Sequence, residues 1–251
     1  MSRLKRFTES TNPFMTEKAY EKARQEVTLS EGAMPRTMTV QGAINKSFIL
    51  FGILFIAAAA GFAYPNPLFL IGGAIGGFIV VILTMFKVHL APVTAPIYAA
   101  LEGLFIGSAS AVFASAYDGI IFQAVTLTMA LLFMMLFIYK AGIIKVTDKF
   151  RTGVIMAIGA VFIVYMLNIV LGLFGISMPF LHDGGMISIG ISLVIIGIAC
   201  LSLLLDFDNF ERGARAGAPE FMEWFSAMGL MITLVWLYLE ILRLLAMLSR
   251  D

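Results

Sequence analysis

Five side chains in this sequence stand where ionisable chemistry is costly. Glu102, Asp206, Asp208, Glu240 and Arg243 lie within long apolar runs or at their ends. A charge surrounded by hydrocarbon is expensive, so each is a candidate for function. Two carboxylates that share a low-dielectric site do not ionise independently, and such a pair can hold one proton between them. Their ionised form offers the hard oxygen ligands that calcium prefers. One constellation can therefore couple protonation to cation passage. A plainer reading stands beside it. Asp206 and Asp208 end a helix with Arg212 close by in sequence, and Glu240 and Arg243 at i, i+3 neutralise each other. Glu102 then only hydrogen-bonds a neighbouring helix.

Other chemistries find no support. His89 and His182 both fall in loops between the runs. No Ser-His-Asp arrangement, H-E-x-x-H or glycine-rich phosphate loop occurs. The last run has no lysine for a retinal Schiff base. Cys200 is the single cysteine, which leaves no intrachain disulfide and no cysteine metal site. The chain does not read as an enzyme, and no cofactor is expected.

The elements that must position these acids follow from composition. Of 251 residues, 60% are hydrophobic and 13% charged, against about 25% charged in a soluble domain. Mean hydropathy is +0.95. A cytosolic enzyme, a disordered chain and a coiled coil are excluded. The net charge of +1 gives no field that would draw nucleic acid. A membrane-crossing helix takes about 20 apolar residues. Seven runs approach that length: 47–63, 68–86, 97–116, 120–139, 153–175, 186–205 and 225–248. They are continuously apolar, unlike barrel strands. Turn residues separate them, among them Pro65-Asn66-Pro67, Pro92 and Pro96, Asp118-Gly119 and Asp183-Gly184-Gly185. The fold class is all-α, a polytopic protein of seven transmembrane helices packed in the lipid bilayer.

Residues 1–46 read as a polar cytosolic tail ahead of a seven-helix domain over 47–251. The tail holds eight Lys/Arg and five Asp/Glu, and no apolar h-region follows its basic start, so it is not a signal peptide. Residues 16–27 could form a short polar helix. With the N-terminus inside, the inner segments carry fifteen Lys/Arg, and only Arg243 and Arg250 lie elsewhere. The positive-inside rule then places the N-terminus in the cytoplasm and the C-terminus outside. A re-entrant last helix would bring the C-terminus in. The pairs Gly72/Gly76, Gly73/Gly77 and Gly103/Gly107 put small residues on one helix face, where backbones can approach.

Three tracts carry a resemblance. Thr94-Ala95-Pro96-Ile97-Tyr98-Ala99-Ala100-Leu101-Glu102-Gly103-Leu104 looks like a third span of small residues closing on Gly-Leu. Leu203-Leu204-Leu205-Asp206-Phe207-Asp208 looks like a sixth span ending in an acid. Leu237-Tyr238-Leu239-Glu240-Ile241-Leu242-Arg243 looks like a last span with an acid after Leu-Tyr-Leu. Together, over residues 40–248, the chain resembles the Bax-inhibitor-motif family, which has YccA-like and YetJ-like bacterial members. The resemblance implies a last helix enclosed by the other six. It implies a pH-sensitive calcium leak channel gated by an acid pair on spans six and seven. The absence of a signal peptide and the compact form point to a bacterial inner membrane, with an organelle membrane as the alternative. Asp206 and Glu240 match that acid pair, and calcium would pass or bind at them. Lys87 matches a basic latch residue after span two, with Glu102 and Arg243 as accessory groups. Three departures stand out. The last-span acid is Glu where Asp is usual, and Asp208 adds a third acid able to replace either partner. The segment 209–224, with Arg212 and Arg215, is also longer than usual. If span seven enters at Trp224, Glu240 lies ~24 Å along it, away from Asp206 at the inner end of span six.

Two further readings remain. One is a regulatory protein without transport, bound by its polar tail to a membrane AAA protease, as the resemblance to YccA-like members implies. The other is a proton-coupled transporter that uses Glu102 and Glu240 as proton carriers.

Overall fold

The computed structural model describes residues 36–175 and 185–249. The proposed tail helix at 16–27, His182 and Arg250 lie outside the described residues. Among the described residues, seven helices are long and apolar enough to cross a membrane. They are α1 (Val40–Ala63), α2 (Pro67–Phe86), α3 (Ala91–Ala116), α4 (Ile120–Lys140), α5 (Asp148–Leu173), α6 (Met186–Arg215) and α7 (Phe221–Leu248). A short 3-10 turn, Val88–Leu90, joins α2 to α3. Among the described residues there is no strand, only an isolated antiparallel bridge between Thr37 and Pro219.

Local chemistry explains the helix ends. Thr39 caps α1 by accepting from the Gly42 amide, and Asn66 caps α2 by accepting from Leu68, with Pro67 at the first helical position. A proline there forfeits no bond, because first-turn amides have no intrahelical acceptor. Thr147 caps α5, and Asp148 follows in its first turn, where a negative charge suits the helix dipole. Gly119, before α4, takes φ 72 and Gly217, before α7, takes φ 62, a left-handed conformation that glycine adopts without strain.

The helices overrun the apolar runs at their polar ends. α1 starts at Val40, ahead of Ser47. α3 starts at Ala91, so Pro92 and Pro96 lie inside a helix and do not break it. Pro92 sits in the first turn, where it costs nothing, and Pro96 removes one bond to the carbonyl of Pro92. α6 continues past Leu205 to Arg215. Asp206 and Asp208 therefore stand inside a helix and do not end it, and residues 209–224 are mostly helical. Ion pairs one turn apart support this extension: Arg212 Nε lies 2.6 Å from Asp208, and Arg215 pairs with Glu211.

The large apolar side chains sort by exposure. Phe48, Phe78, Phe122, Phe137 and Phe174 are exposed, as lipid-facing residues must be. In α5 only 6% of the apolar window is buried, and in α7 67% is. The window of α7 is thus the most buried of the seven.

The chain forms two compact units. The first comprises α1, α2, α3 to Ala111, and Asp206–Ile232 from α6 and α7. The second comprises Val112–Leu205 and α7 from Thr233. Within the first unit, α3 lies between α1 and α2 on its glycines. A Cβ on Gly73 would stand 2.8 Å from the Leu101 carbonyl oxygen. On Gly103 it would stand 2.5 Å from that of Leu54, and on Gly107 2.0 Å from that of Ala58. Ser108 Oγ donates to the Gly61 carbonyl at 3.2 Å across the same α1–α3 contact. Gly72 has only Leu68 near it, at 3.9 Å. Gly107→Ala should therefore lower stability by about 1–3 kcal/mol, because backbone and not a flexible side chain must move. Gly72→Ala should change it little. Thermal unfolding of both variants in detergent checks this, and equal midpoints would refute the glycine contact.

Candidate functional site

The second unit holds a charged cluster on α7. Glu240 and Arg243 stand one turn apart on that helix, and Arg243 Nη2 lies 2.8 Å from Glu240 Oε2. Both side chains are largely enclosed, with 6% and 19% of their surface exposed. From α5, the Tyr165 hydroxyl donates to the other oxygen of Glu240. The Tyr165 ring also lies against the Arg243 guanidinium, 5.4 Å from centroid to Cζ, within cation–π range. Ser192 of α6 and Trp236 of α7 bring further donors beside the carboxylate. Charge balance and hydrogen bonding are the terms on which an acid can be held inside a membrane. The i, i+3 spacing read from the sequence is a real ion pair. Tyr165 was not legible, because it is uncharged and lies 75 residues from its partner.

The other predicted residues belong to the first unit. Asp206 Oδ1 is directed at Gly229 of α7, 3.9 Å from where that residue's Cβ would be. Gly229 and Glu240 are eleven residues apart on α7, ~16 Å of helical rise. Asp208 is buried and held by Arg212 at 2.6 Å. Lys87 ends α2, exposed, and no hydrogen bond or ion pair reaches its ammonium among the described residues. Glu102 sits midway along α3, against Gly77 of α2. No group of three or more His, Cys, Asp or Glu able to hold a metal ion occurs among the described residues.

One polar cluster was missed from the sequence. Glu223, in the first turn of α7, accepts from the Thr39 amide at 2.7 Å and from the Thr39 hydroxyl at 3.0 Å. It also pairs with Lys46 of α1, whose ammonium lies 3.3 Å from Glu220 and over the Trp224 ring. Backbone bonds reinforce the contact: Met38 donates to Ala218 at 2.6 Å and Glu220 to Arg36 at 2.9 Å. A Cβ on Gly42 would strike the Glu223 carboxylate. The available signal was an acid pair, Glu220 and Glu223, at a helix start. Its partner lies over 170 residues away, beyond any local pattern.

Among known families, the model described as Bax inhibitor 1 like matches residues 10–250. No curated protein and no solved structure gives a match.

Proposed function

Because the chain belongs to the Bax inhibitor 1 like family, we propose that it is a pH-sensitive cation leak of the bacterial inner membrane. Calcium is its permeant ion, and Glu240 on α7 is its gating acid. The carrying observation is the Glu240–Arg243 pair, enclosed in the most buried helix and held by Tyr165. With Glu240 ionised, the pair has no net charge. A proton on Glu240 leaves the arginine charge uncompensated and removes the attraction between them. The local field a passing cation meets then changes by one unit charge, which at low dielectric is a large effect. In the first unit, Asp206 is a separate acid beside Gly229 whose own effect on flux is measured separately, and Asp208 stays tied to Arg212. Calcium is cargo here and needs no permanent ligand cage. The bias of Lys and Arg supports a cytoplasmic N-terminus.

The test is calcium flux into dye-loaded proteoliposomes while external pH is varied. The parent should show flux that depends on pH. Glu240→Gln should flatten that dependence, and Asp206→Asn should alter flux. Folded protein that gives no flux above empty vesicles would sink the leak reading and favour a regulatory protein without transport.

A further inference from the structure

The acid that this function leaves unused is Glu102. It lies midway along α3, in the first unit, on a face of its own. Thr94, Tyr98 and Glu102 recur at i, i+4, i+8 and so line one side of the helix. Opposite them, α2 offers Thr84 and Gly77. The Thr84 and Thr94 hydroxyls are hydrogen-bonded at 2.7 Å. At Gly77 a Cβ would stand 2.7 Å from Glu102 Oε2 and 3.6 Å from the Tyr98 ring. The glycine thus opens a notch in α2 that admits the carboxyl, with the Tyr98 ring packed beside it.

Among the described residues nothing balances this carboxyl. Among the described residues no hydrogen bond or ion pair reaches it. α2 carries no titratable residue. α1, which packs on α3 at Gly103 and Gly107, carries only Lys46, and that ammonium is taken by Glu220 and Glu223. α3 itself adds only Tyr98. Elsewhere in the unit, Asp206 is directed at Gly229, Asp208 pairs with Arg212, and Glu211 pairs with Arg215. A carboxylate set among apolar helices without a counter-charge costs several kcal/mol. A bound cation would need six or more oxygens, and the notch offers a carboxyl and one phenol. A proton needs only one oxygen.

We propose that Glu102, seated in the Gly77 notch beside Tyr98, is an exchangeable proton-binding site between α2 and α3. It is distinct from the α7 cluster and does not rest on the leak reading. The hydrogen-bonded Thr84–Thr94 pair lies on the same face, toward the α2–α3 turn.

A hydrophobic carbodiimide tests this on the purified full-length chain. The protonated carboxyl adds its O–H across one C=N bond of the reagent to give an O-acylisourea. Acyl transfer to nitrogen then yields a stable N-acylurea, and the product keeps every atom of both reactants. Peptide mass spectrometry should find the adduct on Glu102. Its yield should fall as pH rises, because only the protonated carboxyl adds to the reagent. Glu102→Gln should lose the adduct, and Glu240→Gln should keep it. A folded parent with no adduct on Glu102, or with a yield indifferent to pH, overturns the proposal, and neither result depends on calcium flux.

Discussion

Arg243→Met is expected to be among the most damaging single changes in this protein. It leaves the Glu240 carboxylate enclosed with only Tyr165, Ser192 and Trp236 around it. Removing one partner of a buried ion pair costs about 3–5 kcal/mol, because the remaining charge is neither solvated nor compensated. Glu240→Gln should cost less, because Arg243 still has the face of the Tyr165 ring, a contact worth about 0.5–2 kcal/mol. The double variant, Glu240→Gln with Arg243→Met, should recover most of the loss. It carries no net charge, and glutamine still accepts from the Tyr165 hydroxyl. Unfolding in detergent, run as a double-mutant cycle, measures the coupling directly. Additive losses in the double variant would mean that the pair is a proximity without energetic consequence.

The apolar runs made the seven helices legible because hydrocarbon imposes length and continuity on any segment that crosses it. Their polar ends were not legible for an equally physical reason. Residues 206–215 carry three acids and two arginines, which a hydropathy scale reads as a loop. In the structure Asp208–Arg212 and Glu211–Arg215 neutralise one another along the helix and let it continue. At α3, Pro92 and Pro96 read as breakers, but one falls in the first turn and the other forfeits a single bond. The candidate site divides in the same way. Glu240 and Arg243 were found together because their spacing is local. Tyr165 and Glu223 were missed because their partners are brought near only by the fold. Charge stands out in an apolar sequence, whereas a phenol, or an acid just outside a run, does not.

Glu223→Ala carries the second large expectation. One carboxylate there ties the start of α7 to the start of α1 through three donors: the Thr39 amide, the Thr39 hydroxyl and the Lys46 ammonium. Its side chain is 4% exposed, so water replaces few of these bonds. The Thr39 amide belongs to the residue that caps α1, which links the capping of one helix to an acid on another. Removing the carboxylate should cost about 3 kcal/mol, from an enclosed ammonium that loses its closest partner and an amide that loses its acceptor. Lys46→Met should cost less, since Glu223 keeps both Thr39 donors. Glu223→Gln should also cost less, since an amide oxygen still accepts from Thr39. The order of the three variants is itself informative, because a purely steric role for Glu223 would make alanine and glutamine differ while leaving Lys46→Met silent. Hydrogen exchange locates the effect. In Glu223→Ala, protection should fall at Thr39 and Gly42 and persist in the middle of α1, where lipid and not the Glu223 contact holds the helix. Unchanged protection at Thr39, with stability equal to the parent, would refute this tie between α1 and α7.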